Sequence, residues 1–286
     1  MDELAAEFEA ERGRLHGLAY RMLGSAAEAD DAVQEAWLRL NRVDSVDNLV
    51  AWLTTVVSRV CLDVLRSRKA RREDLFEVLP EPAADADPAV EVELADSVGR
   101  ALLVVLDALG PAERIAFVLH DLFAVPFDRI APVLDRTPVA AKKLASRARQ
   151  RVRGTSPLPP ADLARHRRVV DAFLTAARGG DLGSLLAVLA PDVVRRADAA
   201  ALPAGAAREV RGARTVAEET QVLGKRARFA EAALVDGAVG VVVAPRGRLL
   251  LALAVAVEGE RVASYEVIAD PARLAALRVT LLPLSA

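Results

Sequence analysis

One cysteine in 286 residues, Cys61, excludes an internal disulfide framework. Its neighbours Val57, Val60 and Val64 mark it as a small buried hydrophobe rather than a nucleophile. Histidine is nearly as scarce. His16, His120 and His166 are far apart along the chain, and no cluster has the spacing of metal ligands. Long apolar runs are missing as well: the strongest, Leu249 to Val257, is less than half of the roughly 20 residues that a membrane helix needs. The N-terminus has no charged-then-apolar leader. These absences predict a cytoplasmic protein with no membrane partner, no metal and no cofactor. Aromatics are only 4% of the chain, so a core must be built from the alanine, valine and leucine that dominate its 53% of hydrophobic residues.

Net charge is also small, at -2, but the total conceals an uneven distribution. Residues 1–72 carry 12 acids and 11 bases, whereas 73–96 carry 9 acids and no base. Residues 97–153 carry 5 acids and 10 bases, and 161–286 carry 14 acids and 17 bases. Pro80, Pro82 and Pro88 interrupt the acidic stretch, which predicts an extended linker between a balanced segment and a basic one. A second linker is expected at 154–160, where Gly154, Pro157, Pro159 and Pro160 cluster. The predicted organisation is therefore multidomain: two all-α segments, 1–72 and 97–153, followed by an α+β domain at 161–286. In the last, alternating apolar stretches near 230–235, 238–244, 248–257 and 261–269 are separated by Asp236-Gly237, Arg246-Gly247 and Glu258-Gly259, as in hairpins of a mostly antiparallel sheet.

Two helical faces need more than a core to explain them. Over 26–40, Val33, Trp37 and Leu40 recur at helical spacing and turn inward, while Asp31, Gln34, Glu35 and Leu38 form a second ordered row suited to docking. In the basic segment a helix near 127–134 is followed by Asp135-Arg136 and then Thr137-Pro138, a threonine cap and first-turn proline that open a final basic helix. That is the outline of a helix-turn-helix. With Leu144, Ala148 and Val152 turned inward, Val139, Lys142, Lys143, Ser146, Arg147 and Arg149 remain for a phosphate-lined groove. A third helix, near 48–68, repeats this logic: Thr55, Arg59, Leu62 and Arg66 face away from Leu53, Val57, Val60 and Val64.

Together these features resemble bacterial extracytoplasmic-function sigma factors of the sigma-70 family, in the subgroup with a SnoaL-like C-terminal extension. The residues that carry the resemblance are Leu18 through Gly24, Asp30-Asp31-Ala32-Val33-Gln34-Glu35-Ala36-Trp37, Ala51 through Val56, Pro111 through Phe117, and Thr137 through Arg149. It implies that 1–72 is sigma region 2 and 97–153 sigma region 4. Asp31, Gln34, Glu35 and Leu38 would grip the β′ coiled coil of core RNA polymerase, and the β flap would be a further partner. Asn41, Asp44, Asp47 and Asn48 would lie in the loop that captures a flipped base of the minus-ten promoter element, with Thr55, Arg59 and Arg66 along the melted strand. Thr137, Val139, Lys142, Lys143, Ser146, Arg147 and Arg149 would read or flank the minus-thirty-five element.

The subgroup's further signatures are kept unevenly. Leu79-Pro80-Glu81-Pro82 matches the linker motif, with Val78 in place of a tryptophan. An aspartate followed by three glycines becomes Asp198-Ala199-Ala200-Ala201, and an Asn-Pro-Asp-Lys-Leu-like tail becomes Asp270-Pro271-Ala272-Arg273-Leu274. The resemblance gives the extension a cone-shaped fold that resembles nuclear transport factor 2 and in other proteins houses cyclases or isomerases. Arg196, Asp198, Tyr265, Glu266 and Asp270 are its pocket or regulatory candidates, with a small-molecule ligand as a possible partner. The expectation is a non-catalytic sigma factor whose C-terminal domain modulates it. A ligand-responsive helix-turn-helix regulator is the first alternative, and a SnoaL-type enzyme with a nucleic-acid-binding module the second.

Overall fold

A computed structural model describes residues 2–43, 45–74 and 99–283. The linker motif Leu79 to Pro82 and Asp44 lie outside the described residues. Close packing divides the chain into two units: the first contains the described residues up to 74 together with Leu106–Arg151, and the second contains Gly99–Val105 with Val152 onward.

In the first unit, α1 (Asp2–Leu23), α2 (Ala26–Leu40) and α3 (Leu49–Asp74) pack against one another. Gly24 takes a φ of +75° between α1 and α2, and Ser25 Oγ then accepts from the Glu28 amide to cap α2. Asn48 caps α3 in the same manner, accepting the Ala51 amide at 2.9 Å. The buried face of α2 is Ala29, Ala32, Val33, Ala36 and Leu40. Trp37 is half-buried, its ring 4.8 Å from that of Phe8.

The packing of α3 departs from the single stripe expected. Leu53, Val57 and Cys61 are buried, but so are Thr54, Ser58, Leu62 and Leu65, whereas Val60 and Val64 are only half-buried. The reason is that α3 is covered on more than one side. It packs against α1 and α2, and also against α5 (Pro111–Phe117) and α6 (Phe127–Leu134) of the basic segment. Leu62 therefore leaves the outward row.

The basic segment begins with α4 (Arg100–Asp107) and ends with α7 (Pro138–Val152). Ala101, Leu103, Val104, Val105 and Leu106 are all buried, so α4 is apolar around most of its circumference. A π-helical stretch, Val118–Leu122, continues α5, a detail absent from the sequence pattern. Pro132 sits on the exposed side of α6, which ends two residues later at Leu134. Asp135 takes a φ of +53° and Thr137 Oγ1 accepts the Ala140 amide, so the turn before α7 forms as its residues predict.

The second unit is α+β. Helices α8 (Pro160–Gly179), α9 (Leu182–Val188), α10 (Ala213–Leu223) and α11 (Pro271–Ala276) accompany a seven-stranded sheet in the order β2-β1-β6-β5-β4-β3-β7. Its strands are β1 (Leu189–Ala197), β2 (Glu209–Arg211), β3 (Ala230–Val235), β4 (Ala238–Val243), β5 (Leu251–Glu258), β6 (Arg261–Ile268) and β7 (Val279–Thr280). Only β1 and β6 pair in parallel; the other neighbours are antiparallel. Asp236 and Gly237, both at positive φ, make the expected β3–β4 hairpin turn. The short β2 and β7 were not legible as separate strands. One face of the sheet packs on α8 through Val169, Val170 and Phe173, and the second core cluster joins Ala101 of α4 to Ala233, Val235 and Val242.

Candidate core-polymerase and promoter interface

On α2 the predicted docking row is outward. Asp31 and Gln34 are exposed, Glu35 is half-buried, and Leu38 is 45% exposed although it is a large hydrophobe. Glu35 accepts from Arg39 Nε at 2.8 Å, one turn along, which holds the carboxylate on this face. An exposed leucine amid carboxylates and an amide offers apolar area and hydrogen bonds side by side, the mixture that protein interfaces use.

In the loop after α2, Asn41 and Asp47 are exposed, and Asn48 is committed to capping α3. Thr55 Oγ1 donates back to the Ala51 carbonyl and is half-buried. Arg59 and Arg66 are exposed, Arg66 lying 3.9 Å from Asp63. Arg59 Nη2 donates to the Pro132 carbonyl of α6 at 3.0 Å.

On α7 the inward residues are Ala141, Ala145, Ala148 and Val152, with Leu144 only half-buried. Alanine at three of these four positions brings the helix backbone close to its neighbours. The outward face presents Lys142, Lys143, Ser146 and Arg147, and Val139 is 65% exposed at the helix start. Arg149 is different: it is half-buried and bidentate to Asp121, at 2.6 and 3.1 Å, and that partner raises its pKa above the ordinary guanidinium value. Glu113 receives Arg151 at 2.7 Å, with Arg147 at 3.6 Å.

Among the described residues three buried arginines, Arg100, Arg114 and Arg195, went unnoticed in the sequence. Arg114, in the Pro111–Phe117 motif, has a side chain only 3% exposed and reaches the Arg21 carbonyl at the end of α1 and the Asp107 carboxylate. Arg195 on β1 is paired with Glu219 and donates to the Ala207 carbonyl at 2.9 Å. The signal for Arg195 was the strand's alternation, because Val193 and Ala197 on either side of it are apolar and buried.

The five C-terminal candidates divide between two faces of the sheet. Arg195 pairs in register with Tyr265, and Arg196 with Glu266, so adjacent residues point oppositely. Tyr265 is buried, its hydroxyl 2.9 Å from Thr220 Oγ1, and burial raises its pKa above the usual phenol value despite that hydrogen bond. On the other face Arg196 pairs with Glu209, and Glu266 with Arg273. Asp198 accepts the Ala269 and Asp270 amides at 3.0 Å each and Arg273 at 2.5 Å. Its burial would raise the pKa, but the Asp270 and Ala269 amides and Arg273 outweigh that and hold the carboxyl below the ordinary value. Asp270 caps α11 through the Arg273 amide. Asp198, Glu266 and Asp270 thus gather round Arg273 and the start of α11 as a clasp, while Tyr265 faces the other side, so the candidates do not converge on one pocket.

The alanines after Asp198 form a 3₁₀ turn, Ala199–Ala201, without positive φ. Glycine's freedom is not needed there, so the substitution is accommodated.

Family models for sigma-70 region 2 and sigma-70 region 4 match residues 8–71 and 99–152. The chain is 46% identical to the ECF RNA polymerase sigma factor SigJ of Mycobacterium tuberculosis, over 72% of this chain and 69% of that one. It belongs to the extracytoplasmic-function RNA polymerase sigma factors. A probable sigma factor of the same organism, SigI, is 40% identical over 69% of this chain and 71% of its own length. The crystal structure of M. tuberculosis SigJ aligns over 95% of this chain and 98% of that one, with a TM-score of 0.46 and 34% identity. The outward row on α2 thus falls within the sigma region 2 match, and α4 to α7 fall within the region 4 match.

Proposed function

We propose that α2 docks core RNA polymerase through Asp31, Gln34, Glu35 and Leu38, that Asn41 to Asn48 with Thr55, Arg59 and Arg66 engage the minus-ten element, and that α7 reads the minus-thirty-five element. The observation that carries this reading is the pair of apolar side chains left bare on polar helical faces, Leu38 on α2 and Val139 on α7, within the two sigma-family segments. Base-edge contact falls to Val139, Lys142, Lys143 and Ser146 near the start of α7, and phosphate contact to Arg147. Arg149 acts by holding α7 against Asp121 and contributes its charge from there. Arg59 engages DNA only after leaving the Pro132 carbonyl. The C-terminal domain modulates initiation without being a catalyst, and its influence passes through α4, whose first residues it packs.

Abortive initiation by purified core polymerase on a promoter library tests this reading. Initiation that depends on this protein at a shared two-element sequence is expected. Gln34→Ala combined with Glu35→Arg is expected to abolish core binding while circular dichroism stays unchanged. Retained affinity of the double variant for core enzyme would remove α2 from the interface.

A further inference from the structure

The buried row of α7 is nearly all alanine: Ala141, Ala145 and Ala148, closed by Val152. Side chains no longer than a methyl group raise shallow ridges, so this packing alone holds the helix only weakly against rotation about its own axis. At about 3.6 residues per turn, Arg151 and Arg149 fall on opposite flanks of that row, with Arg147 one turn before Arg151. Each flank meets a carboxylate from the preceding helical segments. On one, Glu113 of α5 accepts Arg151 Nη1 at 2.7 Å and lies 3.6 Å from Arg147 Nε. On the other, Asp121 of the π-helical stretch binds Arg149 through both oxygens. Both carboxylate side chains are largely covered, whereas Arg147 and Arg151 reach into solvent. Glu113 is fixed further by the Gly110 amide, which it accepts at 3.4 Å as part of the cap of α5.

The carboxylates are therefore the anchored groups and the arginines the movable ones. Arg147 lies outside hydrogen-bond reach of Glu113 but within ion-pair range, so a DNA phosphate arriving at this face competes with Glu113 for its guanidinium. We propose that Glu113 and Asp121 are positioning residues for promoter recognition: they fix the rotation of α7 from its two flanks, and Glu113 withholds Arg147 from phosphate. Fixed rotation keeps the base-contacting side chains aimed at the groove, which is where sequence is read. Withholding Arg147 restrains the attraction that is the same for every sequence. The proposal rests on the reading of α7 as the minus-thirty-five helix.

Holoenzyme assembled from core polymerase and the full chain, titrated at several salt concentrations with a minus-thirty-five duplex and a scrambled one, tests it. Glu113→Gln keeps the shape of the side chain and an acceptor for the Gly110 amide while removing the charge. It is expected to steepen the salt dependence on both duplexes by about one phosphate contact and to cut the preference for the minus-thirty-five duplex several-fold. A role confined to holding the fold would lower affinity without steepening that slope. Adding Arg147→Gln to Glu113→Gln is expected to return the slope to the wild-type value or below, which identifies Arg147 as the residue released. Asp121→Asn leaves Glu113 in place and is also expected to cut the preference several-fold, so the flank assignment is tested even where Glu113→Gln does not fold. A slope no steeper than the wild type in folded Glu113→Gln, or an undiminished preference in Asp121→Asn, would overturn the proposal. Lys143→Ala separates it from the reading beneath it. A slope altered by Lys143→Ala and not by Glu113→Gln removes the role of the carboxylates alone, whereas slopes unaltered by both take α7 off the DNA.

Discussion

Cys61 is fully buried on α3, and burial pushes its thiol up to about 12, more than the Arg114 charge and its own backbone hydrogen bond pull it down. In the unfolded chain the thiol ionises near about 8.5. The folded state therefore keeps its proton where the unfolded state has lost it. The associated stability is fully present below about pH 8.5 and is lost as pH rises toward the folded value. Two results are expected: a disulfide reagent leaves the native protein unlabelled at pH 8 but labels it in denaturant, and urea stability falls between pH 8 and 10 by about 1–2 kcal/mol more in the wild type than in Cys61→Ala. Lys143 gives a residue-scale prediction for DNA. Lys143→Ala is expected to weaken minus-thirty-five binding and to lower the salt slope by about one. A slope equal to wild type in a binding titration at several salt concentrations would take Lys143 out of the interface. Residue identities were legible where a helical period singled them out, as with Asp31, Gln34, Glu35 and Leu38. Arg195 and Arg196 are equivalent in composition, and only the strand's alternation with Val193 and Ala197, not used in the sequence reading, separates the first, inside, from the second, outside.

At the scale of elements, Asp198 fastens the end of β1 to the segment that enters α11. It does so with two backbone amides and Arg273, which also binds Glu266. The sequence marked Asp198 and the Asp270–Leu274 tail as two separate motifs; β1 lying beside β6 is what makes them one cluster, and only the long-range pairing reveals it. Asp198→Ala leaves the Ala269 and Asp270 amides without their acceptor, a loss of about 1–3 kcal/mol in local stability. Faster hydrogen exchange across 269–276 than in the wild type, with the exchange of β3 to β5 unchanged, is the expected result. Because the carboxyl is held below its usual pKa, the clasp is complete above the ordinary aspartate range and weakens as pH falls through the folded value. The helices themselves were largely readable because caps and prolines punctuate them. The extra burial on α3 was not, since its cause is packing by α5 and α6 from a distant part of the chain.

For the whole molecule, composition marked the change from helical to α+β structure near 160, but the division between packed units runs through α4. That helix is buried on several sides, with Ala101, Leu103, Val104, Val105 and Leu106 all covered. Glu231 on β3 accepts the Ala101 amide at 2.8 Å and so caps the first turn of α4, while Ala101 joins Ala233, Val235 and Val242 in one apolar cluster. Deleting 161–286 would strip that cover from α4, and a change in transcription would then report a damaged region 4 as readily as a lost regulator. Glu231→Gln is the sharper variant, since it removes the charge at the helix start and leaves the sheet intact. A charged N-terminal acceptor is worth about 0.5–2 kcal/mol, enough to loosen one turn without unfolding the helix. If the C-terminal domain acts through α4, Glu231→Gln changes abortive initiation several-fold while affinity for core polymerase, which we propose α2 carries, stays at the wild-type value. Unchanged initiation would place the domain's influence elsewhere. A parallel loss of core binding would show that α4 supports region 4 structurally rather than transmitting regulation.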